Sequence, residues 1–324
     1  MNKYIIIIVI IIILGCIYFY FNSKSSNNEL NNELNNELNN ELNNELNNEL
    51  NNELNNNELN IKPNLFLYWE GNMPSYISMC KETIYKHTSN SFNIIFLNDK
   101  NIDEYLPELK SKNLDFSKLR IAQKVDYYRI LLLYKYGGLY MDIDILCMKN
   151  PIEIINKLNN NIDFVGFGCT GNICKYGYGK PSNWVMASKK NTQLMKNILE
   201  HYEMKLKEIN KKDITNKDIN YFEFGKFIIW EELDKLIKNN NYKYFHYSNT
   251  IDGTRDIDGR WVYMGRLFSK EKITYDDESN LLFVVLYNSD LDDFDKSYRD
   301  KTKKELLNSE INFTKYYKKS ILVN

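Results

Sequence analysis

Two aspartates one residue apart, Asp142-Ile143-Asp144, stand in an otherwise apolar stretch, with Leu139-Tyr140-Met141 before them and Ile145-Leu146 after. In extended backbone, residues i and i+2 point to the same face. A strand through this stretch therefore directs both carboxylates to one point. Two like charges so placed repel each other and lose hydration, and both effects are unfavourable. A divalent cation relieves them. Oxygen donors without histidine favour a hard ion, Mn²⁺ or Mg²⁺. An ion held by two carboxylates keeps open positions that suit a diphosphate, the arrangement needed to neutralise a departing nucleotide.

Upstream, Asp126 and Arg129 are three residues apart on an expected helix and so share a face. An intrahelical ion pair is the alternative reading of that spacing. The helix is expected from Ser117, as N-cap, to Tyr136. Gly137-Gly138 stops it, because glycine tolerates a left-handed cap, and the chain then enters the strand that carries the aspartates. A second Asp-x-Asp, Asp256-Ile257-Asp258, lies in an expected loop among Gly253, Thr254 and Gly259. His246, Asn288-Ser289-Asp290, Gly177-Tyr178-Gly179 and Asn183 are further polar or loop positions at which a ligand contact or a structural role is open. Cys169 and Cys174 are five apart in a glycine-bearing loop and can pair in an oxidising compartment; no zinc spacing is present. Asn312-Phe313-Thr314 is an N-glycosylation sequon.

The elements that must position these residues follow from hydrophobic runs and breakers. Strands are expected at 64–69, 91–97, 139–148, 163–167, 184–188 and 281–287. Helices are expected at 75–87, 117–136, from Pro151, at 192–209 and at 224–238. Alternating strands and helices predict an α/β domain with a largely parallel sheet, in which ligands bind beyond the carboxyl ends of the strands.

The ordered set Asp126-x-x-Arg129, Tyr136-Gly137-Gly138 and Leu139-Tyr140-x-Asp142-x-Asp144 resembles the sugar-binding region of glycosyltransferase family 32. That family includes eukaryotic mannosyltransferases and bacterial capsular-polysaccharide enzymes. The set is also similar to the catalytic core of the large clostridial glucosylating toxins. Leu65-Phe66-Leu67-Tyr68-Trp69-Glu70-Gly71 matches the family's opening strand. The strong part of the resemblance covers about 30 residues, and a weaker order of elements extends from Ile61 to Ser188.

The resemblance implies a GT-A-type nucleotide-sugar-binding domain, a UDP- or GDP-linked sugar as donor, Mn²⁺ or Mg²⁺, and retention of anomeric configuration. Carried over by position, Asp144 is the direct metal ligand. Asp142 contacts the donor sugar or ribose, and the metal through water. Asp126 and Arg129 bind donor sugar hydroxyls, with Arg129 also near the diphosphate. Trp69 flanks the nucleotide base, unless it is an ordinary core aromatic. A further C-terminal metal or phosphate contact, usual in the family, is not placed by the sequence.

The chain has 324 residues, with 42 Lys+Arg against 43 Asp+Glu and three histidines. That balance argues against a nucleic-acid partner, and five scattered cysteines do not make a disulfide scaffold. Residues 1–60 hold two basic side chains and eight glutamates, leaving 40 basic against 35 acidic residues in 61–324. Residues 4–21 carry no charge. At 1.5 Å per residue they reach about 27 Å, close to a bilayer core. The run is long for a cleaved signal and no small-x-small site follows it, so residues 1–24 are read as a single-pass transmembrane anchor, type II in orientation. Asn-Asn-Glu-Leu then repeats seven times from Asn27 to Leu54. A period of four drifts around a 3.6-residue helix and gives no heptad seam. Residues 25–60 therefore read as a low-complexity spacer, with oligomerisation through the leucines left open, and 61–324 as the glycosyltransferase domain. The expected acceptor is a glycan, lipid or protein hydroxyl. Three other readings stand: a catalytically inactive, stalked surface protein that binds glycan or nucleotide; a phosphohydrolase using the same carboxylates; and a structural membrane protein whose repeat is the working part.

Overall fold

A computed structural model of the chain describes residues 11–15, 17, 62–168, 180–240, 242–248, 251–287 and 296–322. The expected anchor, apart from helical residues 11–15 and 17, lies outside them, as does the whole repeat spacer. Among the described residues no helix is long and apolar enough to cross a membrane. Residues 62–324 form one compact unit.

Its centre is a six-stranded sheet of β1 (Asn64–Tyr68), β2 (Asn93–Leu97), β3 (Gly138–Met141), β5 (Phe164–Gly168), β6 (Pro181–Ser188) and β7 (Phe245–Ser248), in the order β2-β1-β3-β6-β5-β7. Five strands run one way; β6 alone is reversed, antiparallel to β3 and β5. The sheet is mixed, as the α/β expectation allows. β4 (Ile145–Cys147) and β8 (Phe283–Val285) make a separate antiparallel pair.

Strand alternation divides the interior into two cores. Leu65, Leu67, Leu139, Met141, Val185 and Ala187 face one side, with helices α1 (Ser75–Thr88) and α5 (Asn312–Leu322). Phe66, Tyr68, Tyr140 and Met186 face the other, with α2 (Ile121–Tyr136), α3 (Gln193–Asn210) and α4 (Lys226–Asn240). Both faces of the sheet are covered, which is why its strands read as nearly continuous apolar runs.

Two expectations are corrected. Helix α2 starts at Ile121, with Arg120 as N-cap, and not at Ser117. The side chain of Gln123 accepts from the Arg120 amide at 3.1 Å, whereas the Ser117 amide is turned onto the Asp115 carboxylate at 2.9 Å. The expected strand 139–148 is two strands that belong to different sheets, broken at Asp142-Ile143-Asp144. Two carboxylates cannot continue into a sheet interior covered on both sides, so the chain bends there and leaves one sheet for the other.

Candidate active site

The bend is positioned from both ends. At its start, Gly137 and Gly138 have φ of 66° and 107°. A Cβ on Gly138 would lie 2.5 Å from the Asn64 carbonyl oxygen of β1. The pair is thus required by backbone conformation and by close approach, not only as a helix stop. After it, β3 runs four residues and the Asp142 amide donates to the Trp184 carbonyl of β6 at 2.7 Å. The Leu286 amide, just beyond β8, donates to the Asp144 carbonyl at 3.0 Å. Ile143 is buried, and the aspartates on either side of it are half-buried. Burial thus alternates through the bend, although the stretch is not a strand.

Helix α2 is apolar on nearly every face and is buried along its middle, so Asp126 and Arg129 are buried with it. The Arg129 guanidinium collects the carboxylates. Its Nη2 lies 3.2 Å from Asp126 Oδ1 and 3.2 Å from Asp142 Oδ1, and Nη1 donates to the Asn183 carbonyl. Its Cζ lies 4.8 Å from the centre of the Tyr140 ring. The intrahelical ion pair is real, but it is one edge of a larger network. Asn183 closes that network by donating its side-chain amide to Asp126 Oδ1 at 2.7 Å.

The electrostatics are unbalanced. Burial pushes the Asp126 carboxyl up to about 6, against the pull of Arg129 and the Asn183 hydrogen bond. Burial pushes Asp142 up to about 7; Arg129 opposes this, and the charge of Asp144 adds to it. Burial also disfavours the Arg129 charge, but Asp142, Tyr140 and Asp126 outweigh it and hold the guanidinium above its ordinary value. Two carboxylates, Asp126 and Asp142, share the Arg129 guanidinium, and the charge of Asp144 acts on Asp142 as well. A hard divalent ion suits the oxygen donors of Asp142 and Asp144.

Trp69 follows β1 and is half-buried; its amide donates to the Leu97 carbonyl at 3.0 Å. Its indole Nε1 is buried without a partner among the described residues, so this ring keeps an unspent donor. The second Asp-x-Asp is consumed by the fold. Asp256 is buried and paired with Arg266 at 2.8 Å and Arg260 at 3.1 Å, and Asp258 pairs with Arg260 at 3.0 Å. His246 lies in β7 with Nε2 buried. Asn312 is buried, and its side-chain amide donates to the carbonyls of Arg266, Ser269 and Glu271, so the sequon is engaged in structure. Cys169, Cys174, Gly177-Tyr178-Gly179 and Asn288-Ser289-Asp290 lie outside the described residues.

Sequence reasoning missed Gly225. A Cβ there would sit 2.5 Å from Asp126 Oδ2 and 2.6 Å from Asn183 Nδ2. The signal was a glycine among large residues, Phe224-Gly225-Lys226, just before α4. A group of three potential ligands is also present at His201, Glu231 and Glu232. There Lys235 lies 2.9 Å and 2.8 Å from the two glutamates, which makes it an ion-pair network between α3 and α4.

A family model described as capsular polysaccharide synthesis protein matches residues 17–302. The chain belongs to the capsular polysaccharide synthesis protein family. Membership supports glycosyltransferase as its enzyme class. Several solved structures are similar to this family member. The PaToxG glycosyltransferase is 17% identical over 55% of this chain and 70% of its own, with a TM-score of 0.38. The glycosyltransferase GlyE of Streptococcus pneumoniae TIGR4 is 12% identical over 82% of this chain and 61% of its own, with a TM-score of 0.42. The galactosyltransferase LgtC, solved with donor and acceptor sugar analogs, is 11% identical over 69% of this chain and 87% of its own, with a TM-score of 0.37. No curated protein sequence matches this member of the family.

Proposed function

We propose that this capsular polysaccharide synthesis protein is a metal-dependent, retaining glycosyltransferase of the family 32 type. It moves a sugar from a UDP- or GDP-linked donor to a glycan, lipid or protein hydroxyl. Residues 4–21 hold it at a membrane as a single-pass type II protein, with 25–60 as spacer. The observation that carries the reading is the Asp126–Arg129–Asp142 network beside Asp144, where two carboxylates meet one guanidinium.

In this reading Asp144 and Asp142 hold Mn²⁺ or Mg²⁺, which when bound supplies positive charge for the donor diphosphate. Asp126, fixed by Asn183, accepts hydrogen bonds from donor sugar hydroxyls. Arg129, held above its ordinary value, stays charged and faces the negative charge that grows on the leaving diphosphate. The bond from the anomeric carbon to the diphosphate oxygen breaks as the bond to the acceptor oxygen forms on the same face, and the acceptor proton passes to the departing phosphate. Trp69 offers its ring to the base and its free indole N–H to a ligand oxygen.

The test is nucleotide release by the full-length chain with Mn²⁺ across a panel of UDP- and GDP-sugars, alongside Asp144→Ala. Metal-dependent release from one donor, lost by about 100-fold or more in the variant, is the expected result. Near-normal turnover by Asp144→Ala overturns the assignment.

A further inference from the structure

The bend carrying the aspartates is flanked by two aromatic side chains from different sheets. Trp184 belongs to β6, whose backbone holds Asp142. Tyr287 follows Leu286, whose amide holds Asp144. Their rings meet edge to face, with centroids 5.1 Å apart and planes at 80°. Tyr287 has a φ of 55°, a conformation rare for a side chain of this size. A third ring continues the row outward: Trp261 meets Tyr287 at 5.4 Å and 83°. Trp184 is half-buried, whereas Trp261 keeps 44% of its surface exposed.

Over one face of the exposed ring lies a cation. Arg255 pairs with Trp261 across an antiparallel bridge, and its Cζ lies 3.7 Å from the centre of the indole. Nη1 donates to the Gly259 carbonyl at 2.8 Å, and Nε is buried with no hydrogen-bond partner among the described residues. The neighbouring acids are already committed. Asp252 accepts from Thr254 and Trp184, and Asp256 is held by Arg260 and Arg266. Among the described residues no carboxylate comes within ion-pair distance of Arg255.

We propose that Trp261 and Arg255 form an acceptor platform that takes an acidic sugar. The inference rests on the glycosyltransferase reading above. The exposed part of the indole, away from Arg255, offers an apolar surface to the C–H face of a pyranose, and amphipathic aromatics suit such half-wet contacts. The planar guanidinium, which feels the charges of Asp252 and Asp256 but has no carboxylate at ion-pair distance among the described residues, pairs with a carboxylate or phosphate on that sugar. The row Trp261–Tyr287–Trp184 runs from this platform to the carboxylate bend, so a saccharide on Trp261 extends away from the place where the donor sugar is released.

The full-length chain is titrated with methyl β-D-glucuronide and methyl β-D-glucoside by saturation-transfer NMR. UDP and UDP-glucuronate, each with Mn²⁺, are titrated in parallel. The glucuronide should bind about five-fold tighter than the glucoside, the worth of one partly exposed ion pair. Arg255→Gln should erase that preference. Trp261→Ala should weaken both glycosides, and Trp261→Phe should restore most of the loss. Both nucleotides should bind all variants equally. Equal binding of the two glycosides overturns the proposal. So does an Arg255→Gln variant that loses affinity for UDP or UDP-glucuronate, because Arg255 then serves the donor. Failure of UDP to bind the unmodified chain counts against the transferase reading alone, since the two glycosides report on the platform directly.

Discussion

Arg129 on α2 and Asp142 at the end of β3 meet with Nη2 3.2 Å from Oδ1, and the same nitrogen lies 3.2 Å from Asp126. One guanidinium therefore ties the helix before the glycine pair to the aspartate after it. The turn between them is not merely a connection, because its two ends are held together by charge.

Removing that cation should expose the cost of the acids around it. Arg129→Met preserves length and apolar bulk but leaves Asp126 and Asp142 without their shared partner. Breaking a buried pair costs about 3 kcal/mol or more, which for a domain of this size lowers the melting temperature by roughly 6–12 °C. Differential scanning fluorimetry checks it, and donor binding should fall with stability. A variant that melts with the unmodified chain contradicts the network.

Gly225→Ala tests the same network from outside. The added methyl meets Asp126 and Asn183 at distances that real contacts do not reach, so the 2.7 Å hydrogen bond between them must open. Overpacking of this kind costs about 1–3 kcal/mol. The expected outcome is a folded protein with a raised KM for donor.

The sequence made the local half of this site legible and hid the rest. Asp126 and Arg129 were readable because helical spacing is a local rule. Asn183 stands 57 residues from Asp126, and Gly225 comes from a third element; no periodicity links them, so only the fold brings them together. The bend at Asp142 was read as strand because the flanking residues are all strand formers. The break follows from where the strand would have gone, into a doubly covered sheet, and that is a tertiary fact. The short β4–β8 pair pays no local signature either: its strands lie 136 residues apart and three residues long.

Asp252 gives a pH-dependence that is independent of the carboxylate bend. Burial raises its carboxyl to about 7 from 3.8, despite hydrogen bonds from Thr254 and Trp184. The native state therefore binds the extra proton between those values. The stability tied to this proton is fully present below about pH 4 and is lost as pH rises through 7. From pH 5 to 8 the loss is roughly 2–3 kcal/mol. Urea unfolding at the two pH values measures it, and Asp252→Asn should flatten the slope. A slope unchanged by that substitution contradicts the assignment to Asp252.

The two Asp-x-Asp sequences make the sharpest contrast. Asp256 and Asp258 spend their charge on Arg260 and Arg266, whereas Asp142 shares Arg129 with Asp126 and is acted on by the charge of Asp144. Spacing alone does not separate them; the arginines do. Asp258→Asn removes only an exposed ion pair, so stability should change by under about 1 kcal/mol and metal-dependent nucleotide release should be unaffected. Asp144→Asn should abolish that release while the metal-free protein still unfolds in one cooperative transition. Measured side by side, loss of release in Asp258→Asn, or its persistence in Asp144→Asn, would move the chemistry to the other pair.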